Sequence, residues 1–203
     1  MARHSNRDKL LSQGLRIIHR HGFEASSVRD IVQAAGVPQG SFTNHFASKE
    51  AFGLEVIDLY TAYSDAMVRE TLANEALAPL ERVRAYVDAH IAMMQRDGMR
   101  SGCLYGNFSA EASNASEPIR TKVAAALAER QEAVATCLRA ALAAGEVPAT
   151  LDVEAVSSVV VSSLQGALLL SKVQRSLAPL EHLKQVVFSS VLRRAIDGGG
   201  RDT

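Results

Sequence analysis

The tightest constraint on this chain is the breaker Gly36-Val37-Pro38, set between two short apolar-periodic pieces within residues 26–49. On one side, residues 27–35 carry Val28, Ile31 and Val32 on a single helical face. On the other, residues 39–46 carry Phe42 and Phe46 four apart, and so on one side of a helix. Gly36 suits the left-handed residue that closes a helix, and Pro38 suits the first helical position, where its missing N–H costs nothing. Ser27 followed three residues later by Asp30 is a capping-box spacing. Helix, tight turn with glycine, helix predicts a helix-turn-helix. The outer face of its second helix holds Gln39, Gly40, Ser41, Thr43, Asn44 and His45, all short or hydrogen-bonding and none acidic. A helix that enters the major groove of DNA needs those properties; a plain polar surface helix is the alternative reading.

Charge supports the first reading. The 203-residue chain is neutral overall, but residues 1–49 hold seven Lys/Arg against three Asp/Glu, a balance of +4. The rest holds 15 against 19, a balance of −4. A basic first quarter on a slightly acidic body points to nucleic-acid contact at one end. With 47% hydrophobic residues, five prolines and no sustained period-two alternation, the expected fold is all-α. Cys103 and Cys137 form no CxxC, which indicates neither a disulfide framework nor a cysteine zinc site; no metal and no cofactor are expected. The N-terminus lacks a signal-peptide pattern, which predicts a cytoplasmic chain. The longest uncharged run, residues 155–171, is broken by serines and Gln165 and reads as a buried helix rather than a membrane span.

Periodicity predicts about nine helices. A loose basic arm reaches about residue 4, and helices follow over 6–21, 27–35, 39–46, 48–74, 79–97, 103–113, 117–144, 152–175 and 179–196. The expected division is a DNA-binding head over residues 1–49, a ligand-binding and dimerisation body over 50–197 and a disordered tail over 198–203. The 152–175 helix mixes Ser157, Ser158, Ser162, Ser163, Gly166 and Ala167 with apolar residues over nearly its whole circumference, more than one core face requires. The last two helices are therefore expected to build a four-helix homodimer interface; filling the monomer core is the alternative.

At Gly22-Phe23, the Ser27 cap with Asp30-Ile31, Ala35-Gly36-Val37, Gly40-Ser41-Phe42, His45-Phe46 and Lys49-Glu50, the first quarter resembles the DNA-binding domain of TetR-family transcriptional repressors. The resemblance implies an N-terminal three-helix helix-turn-helix domain on a helical C-terminal domain. Two heads in a dimer would contact successive major grooves of a near-palindromic double-stranded operator, about 34–36 Å or more apart. Gln39, Ser41, Thr43 and Asn44 are candidates for base edges, with Gly40 keeping the helix start slim. Ser27, Arg29, His45 and Lys49 are candidates for phosphates. Thr43 departs from the family, which usually has a phosphate-contacting aromatic there.

The run Gly102-Cys103-Leu104-Tyr105-Gly106-Asn107-Phe108-Ser109-Ala110-Glu111, together with residues 170–176, resembles the regulatory domain of a TetR subgroup. That subgroup includes repressors of reductases and efflux systems for reactive electrophiles, and repressors that respond to acrylate. The resemblance implies that Cys103 is redox- or alkylation-sensitive and that Lys172 acts with it. Thiolates are the reactive form and are favoured at helix N-termini and beside ammonium groups. A small buried apolar cysteine in a shared motif is the alternative. Tyr63, Tyr86, His90, Tyr105 and Phe108 are candidates for lining an inducer pocket, although aromatic stripes at helical spacing are more often core. The expected function is a repressor released from its operator by a small molecule or electrophile. An activator or architectural DNA binder is the second reading. A Cys103-dependent acyl-transfer enzyme with His90 or His182 as base is a remote third, for no spacing fixes such a pair and no catalytic residue is assigned.

Overall fold

The computed structural model describes residues 5–112 and 114–192. The expected arm up to residue 4, the tail 198–203 and the expected end of the last helix at Ile196 lie outside the described residues. Those described form an all-α fold: α1 (Asn6–His21), α2 (Val28–Ala35), α3 (Ser41–His45), α4 (Lys49–Glu70), α5 (Pro79–Arg96), α6 (Leu104–Glu111), α7 (Glu117–Ala143), α8 (Val153–Gln174) and α9 (Ala178–Val186). A π-helical turn, Val187–Val191, continues α9.

Local chemistry sets most helix starts. Ser5 and Asp8 close a capping box on α1, and Ser27 and Asp30 close one on α2. The Ser48, Ser116 and Asp152 side chains accept from the backbone N–H groups of Ala51, Ile119 and Ala155. Each satisfies a donor that the first turn of a helix leaves orphaned. Gly36 takes the left-handed conformation expected of it, at φ 62°.

The head is built on aromatic packing. Phe42 and Phe46 of α3 lie 5.1 and 4.8 Å from the Phe52 ring of α4. Gly14 of α1 lies against that ring so closely that a Cβ there would come within 2.2 Å of it. Ile18 and Ile31 complete this core, each fully buried. Because Phe52 belongs to α4 and Val56 and Ile57 are buried one turn further on, α4 carries the head core straight into the body, where it packs on α7.

In the body, α8 packs against both α7 and α9, and α5 against α7. By length and composition α8 passes for a membrane span, yet it is laid along two neighbours here. Several helix bounds differ from expectation by a residue or more, and four of the differences have a visible cause. Helix α3 starts at Ser41 rather than 39, because the Ser41 N–H bonds back to the Pro38 carbonyl at 2.9 Å in a tighter turn. Helix α4 ends at Glu70 rather than 74: Thr71 leaves helical geometry and its hydroxyl donates to the Met67 carbonyl at 2.6 Å, which turns Leu72 into the core. Helix α6 starts at Leu104, with Cys103 as an extended cap residue. The last helix loses α geometry at Val187, where the Leu192 N–H reaches back to the Val187 carbonyl at 2.9 Å.

Candidate nucleic-acid interface and sensing cleft

Helix α3 presents a polar face held from behind by its rings. Gln39, Gly40, Thr43, Asn44 and His45 are exposed, whereas Phe42 and Phe46 are buried. Ser41 turns inward: it is buried, and its hydroxyl accepts from the Asn6 amide at 3.4 Å, so it positions α3 rather than facing outward. The Thr43 hydroxyl donates to the Gly40 carbonyl at 3.1 Å. A Cβ on Gly40 would meet nothing within 4 Å, so this glycine leaves the approach to α3 open. Next to it, the Ser27 hydroxyl donates to the Asp30 carboxylate at 2.6 Å and accepts from the Asp30 N–H at 3.1 Å. The hydroxyl bond, and the Ser27 N–H that donates to the same carboxylate at 3.1 Å, hold the Asp30 carboxyl below its ordinary range. Arg29, one residue before Asp30, is exposed. Lys49 is tethered, donating to the Glu24 carbonyl at 3.3 Å with its ammonium 4.6 Å from the centre of the Phe23 ring. No acidic side chain stands on the outer face of α3.

In the body, Cys103 and Lys172 come to one cleft of about 290 Å³, lined also by Asn107, Glu111, Gln165 and Leu169. Cys103 is buried, and its sulfur accepts weakly from the Tyr60 hydroxyl at 3.9 Å. The Tyr60 ring meets Tyr105 edge-on at 5.0 Å and His19 at 5.4 Å. Tyr105 donates to Thr61 at 2.9 Å, since the Thr61 proton goes to the Ile57 carbonyl, and the buried Arg130 donates to Ser64 at 3.0 Å and pairs with Asp65. Burial pushes the Tyr60 and Tyr86 phenols well above their ordinary range.

The other sensing candidates divide. Tyr86 and His90 stack edge-on at 4.6 Å, and the His90 Nδ1–H donates to the Tyr86 carbonyl at 2.9 Å. Burial holds His90 below its ordinary value, so the ring is neutral. Phe108 packs on Phe23 of the head at 5.0 Å. Tyr63 stands apart: it is 60% exposed and lines a groove with Leu11, Ser12 and Leu59 between α1 and α4. Cys137 is a core residue whose thiol donates to the Leu72 carbonyl at 3.0 Å and is pushed up by burial. Among the described residues no group of three or more metal-ligating side chains is assembled.

Three residues beside the cleft escaped the sequence reading. His19 of α1 bonds the Gly102 carbonyl at 2.9 Å, and Asn107 bonds the His19 carbonyl at 3.1 Å. Gln165 keeps a buried amide oxygen without a partner among the described residues. Only Asn107 sat in a motif; the roles of the others arise from contacts distant in sequence.

Residues 10–56 match the family described as bacterial regulatory proteins, tetR family, and residues 79–187 match the tetracyclin repressor-like C-terminal domain. The chain belongs to the TetR family. It is 34% identical to the transcriptional repressor DhaR of Mycobacterium sp. (strain GP1), over 95% of both chains. A TetR regulatory protein from Rhodobacter sphaeroides superposes with a TM-score of 0.85 at 30% identity, covering 89% of this chain and 96% of that one. The reduced form of Escherichia coli NemR gives 0.85 at 26% identity, covering 95% and 100%. This TetR-family protein is therefore a DNA-binding transcriptional repressor, with the helix-turn-helix at its N-terminal end and the regulatory helices behind it. Proteins of this family bind DNA and ligands and dimerise.

Proposed function

We propose that this repressor acts as a cytoplasmic homodimer on a near-palindromic operator and is released when the Cys103–Lys172 cleft is filled or Cys103 is alkylated or oxidised. The observation that carries the reading is the acid-free exposed face of α3, clamped onto Phe52 by two of its own rings. In this reading the head is residues 1–49. Gln39, Thr43 and Asn44 read base edges, Gly40 admits the backbone of the duplex, and Ser41 holds the helix. Arg29, His45, Lys49 and the Ser27 corner meet phosphates. Helices α8 and α9 form the dimer interface, which their exposed apolar residues support: Leu169 at 61%, Val173 at 72% and Val186 at 54% exposure. A relative that has a form designated reduced favours a redox-responsive residue in this architecture, and Cys103 beside Lys172 is the arrangement that suits it here.

The test is a band shift on the DNA flanking the protein's own coding region. Affinity is expected to fall steeply between low and moderate salt, as counterion release demands; affinity indifferent to salt argues against phosphate contact. With N-ethylmaleimide, wild type is expected to leave the DNA and Cys103→Ser to stay. Equal release of both would remove Cys103 from the mechanism and leave noncovalent filling of the cleft.

A further inference from the structure

We infer that Asn107 is the positioning residue through which the cleft acts on the head, by joining Lys172 of α8 to the last turn of α1. The side-chain amide is fully used. Its nitrogen donates to the His19 carbonyl at 3.1 Å and to the Ser101 carbonyl at 3.4 Å, and its oxygen accepts from the Lys172 ammonium at 3.5 Å. Two carbonyl acceptors on one side fix which way the amide faces, so its oxygen is aimed at Lys172.

The His19 carbonyl is one of those that the end of a helix leaves unpaired. The Ile18 carbonyl is taken by the Gly22 N–H at 2.8 Å, while the His19 carbonyl is taken from outside, by the body. Two further bonds bind the same corner to the same segment. The His19 ring donates to the carbonyl of Gly102, the residue before Cys103, at 2.9 Å. The Glu24 N–H donates to Glu111, at the other end of α6, at 3.0 Å. Gly22 lies so close to Glu111 that a Cβ would come within 2.3 Å of its carboxylate. The corner that leads from α1 to the helix-turn-helix thus rests on α6 along its length.

The links are unequal, and that decides where a signal enters. At 3.5 Å the Lys172 contact is at the outer limit of a hydrogen bond, whereas the contacts into α1 lie at 2.9–3.1 Å. Whatever draws the ammonium toward Cys103 or into the cleft breaks the weak link first. Asn107 then loses the one donor to its amide oxygen and is held by its two carbonyl bonds alone, so the His19 carbonyl keeps a less constrained partner. The inference rests on reading the head as the DNA-binding part; the coupling itself is readable without DNA.

The experiment is hydrogen exchange of the intact protein, followed in a peptide covering residues 19–26, for wild type, Lys172→Met, Asn107→Leu and the double variant. Each single change is expected to speed exchange there by about twofold or more, and the double variant to match Asn107→Leu alone, because coupled sites are not additive. No effect of Lys172→Met, or effects that multiply in the double variant, would overturn the relay. Asn107→Asp guards against misfolding: it keeps an acceptor for Lys172 but cannot donate to His19, so it should exchange as fast as Asn107→Leu. Wild-type protection in Asn107→Asp would also overturn the relay. In parallel, operator binding by wild type reads the head. If wild type ignores DNA, the functional reading fails while the exchange data still decide the coupling.

Discussion

Two side chains set the terms on which this protein folds. Phe52 is fully buried where α1, α3 and α4 meet, with Phe42, Phe46 and Gly14 against its ring. Truncation to alanine would remove the surface on which α3 rests as well as open a cavity. Phe52→Ala is expected to cost about 3–5 kcal/mol in urea unfolding, and to weaken DNA binding even where the protein stays folded. His90 works through its charge state. Burial lowers its folded pKa below the ordinary 6.5, with the bond to the Tyr86 carbonyl offsetting part of that, and burial lowers His19 likewise. The unfolded chain therefore takes up protons first as pH falls. Stability present above 6.5 is lost through the window from 6.5 down to the depressed folded values. The melting temperature should fall between about pH 7.5 and 5.5, and His90→Asn should flatten that slope. Parallel curves for the two proteins would clear His90.

Between elements, the turns and caps decide more than the helices do. Ser27→Ala removes half of the capping box on α2 and should cost about 1 kcal/mol of stability. Gly22→Ala should cost more than about 1 kcal/mol, since φ there is 95° and the methyl would meet Glu111; a thermal melt within a degree or so of wild type would show that the head can move off α6. Where boundaries follow from such local chemistry, they were legible in the sequence. The predicted 48–74 and 152–175 spans open on the cap residues Ser48 and Asp152, and Gly36 closes α2 as its residue type requires. The bounds that differ are set by tertiary contacts. Thr71 ends α4 so that Leu72 can be buried, and the π turn after Val186 has no residue signature. The exposed set on α3 was readable except at Ser41, whose partner Asn6 lies in another helix. Cys103 and Lys172 were paired through family resemblance. The relay at Asn107 was not readable, because its partners come from α1, α8 and the turn before α6.

At the scale of the whole molecule, the question is why one head is not enough. The basic excess of the first 49 residues is only +4, and Lys49 is partly committed to the Glu24 carbonyl and the Phe23 ring. A single head therefore neutralises few phosphates, and its affinity at moderate salt is small. Rigid pairing of two heads makes the second binding event intramolecular, and it does so only while their separation matches the groove spacing. Under the proposed mechanism, a modest shift of the α1 corner would then suffice for release. In the proposed dimer, the exposed apolar residues of α8 and α9 supply the driving force for such pairing. Leu170 and Val186 line one open groove there and are 49% and 54% exposed, so a charge at either position disturbs no core. Leu170→Glu combined with Val186→Glu is expected to give a monomer in sedimentation with an unchanged helical spectrum. Its binding should weaken, and the slope of log affinity against log salt should drop to about half of the wild-type slope, as one head's share of phosphates is lost. A variant that stays dimeric moves the interface elsewhere. A monomer that keeps the full slope means that a single head already makes every phosphate contact, and the two-headed account of release fails with it.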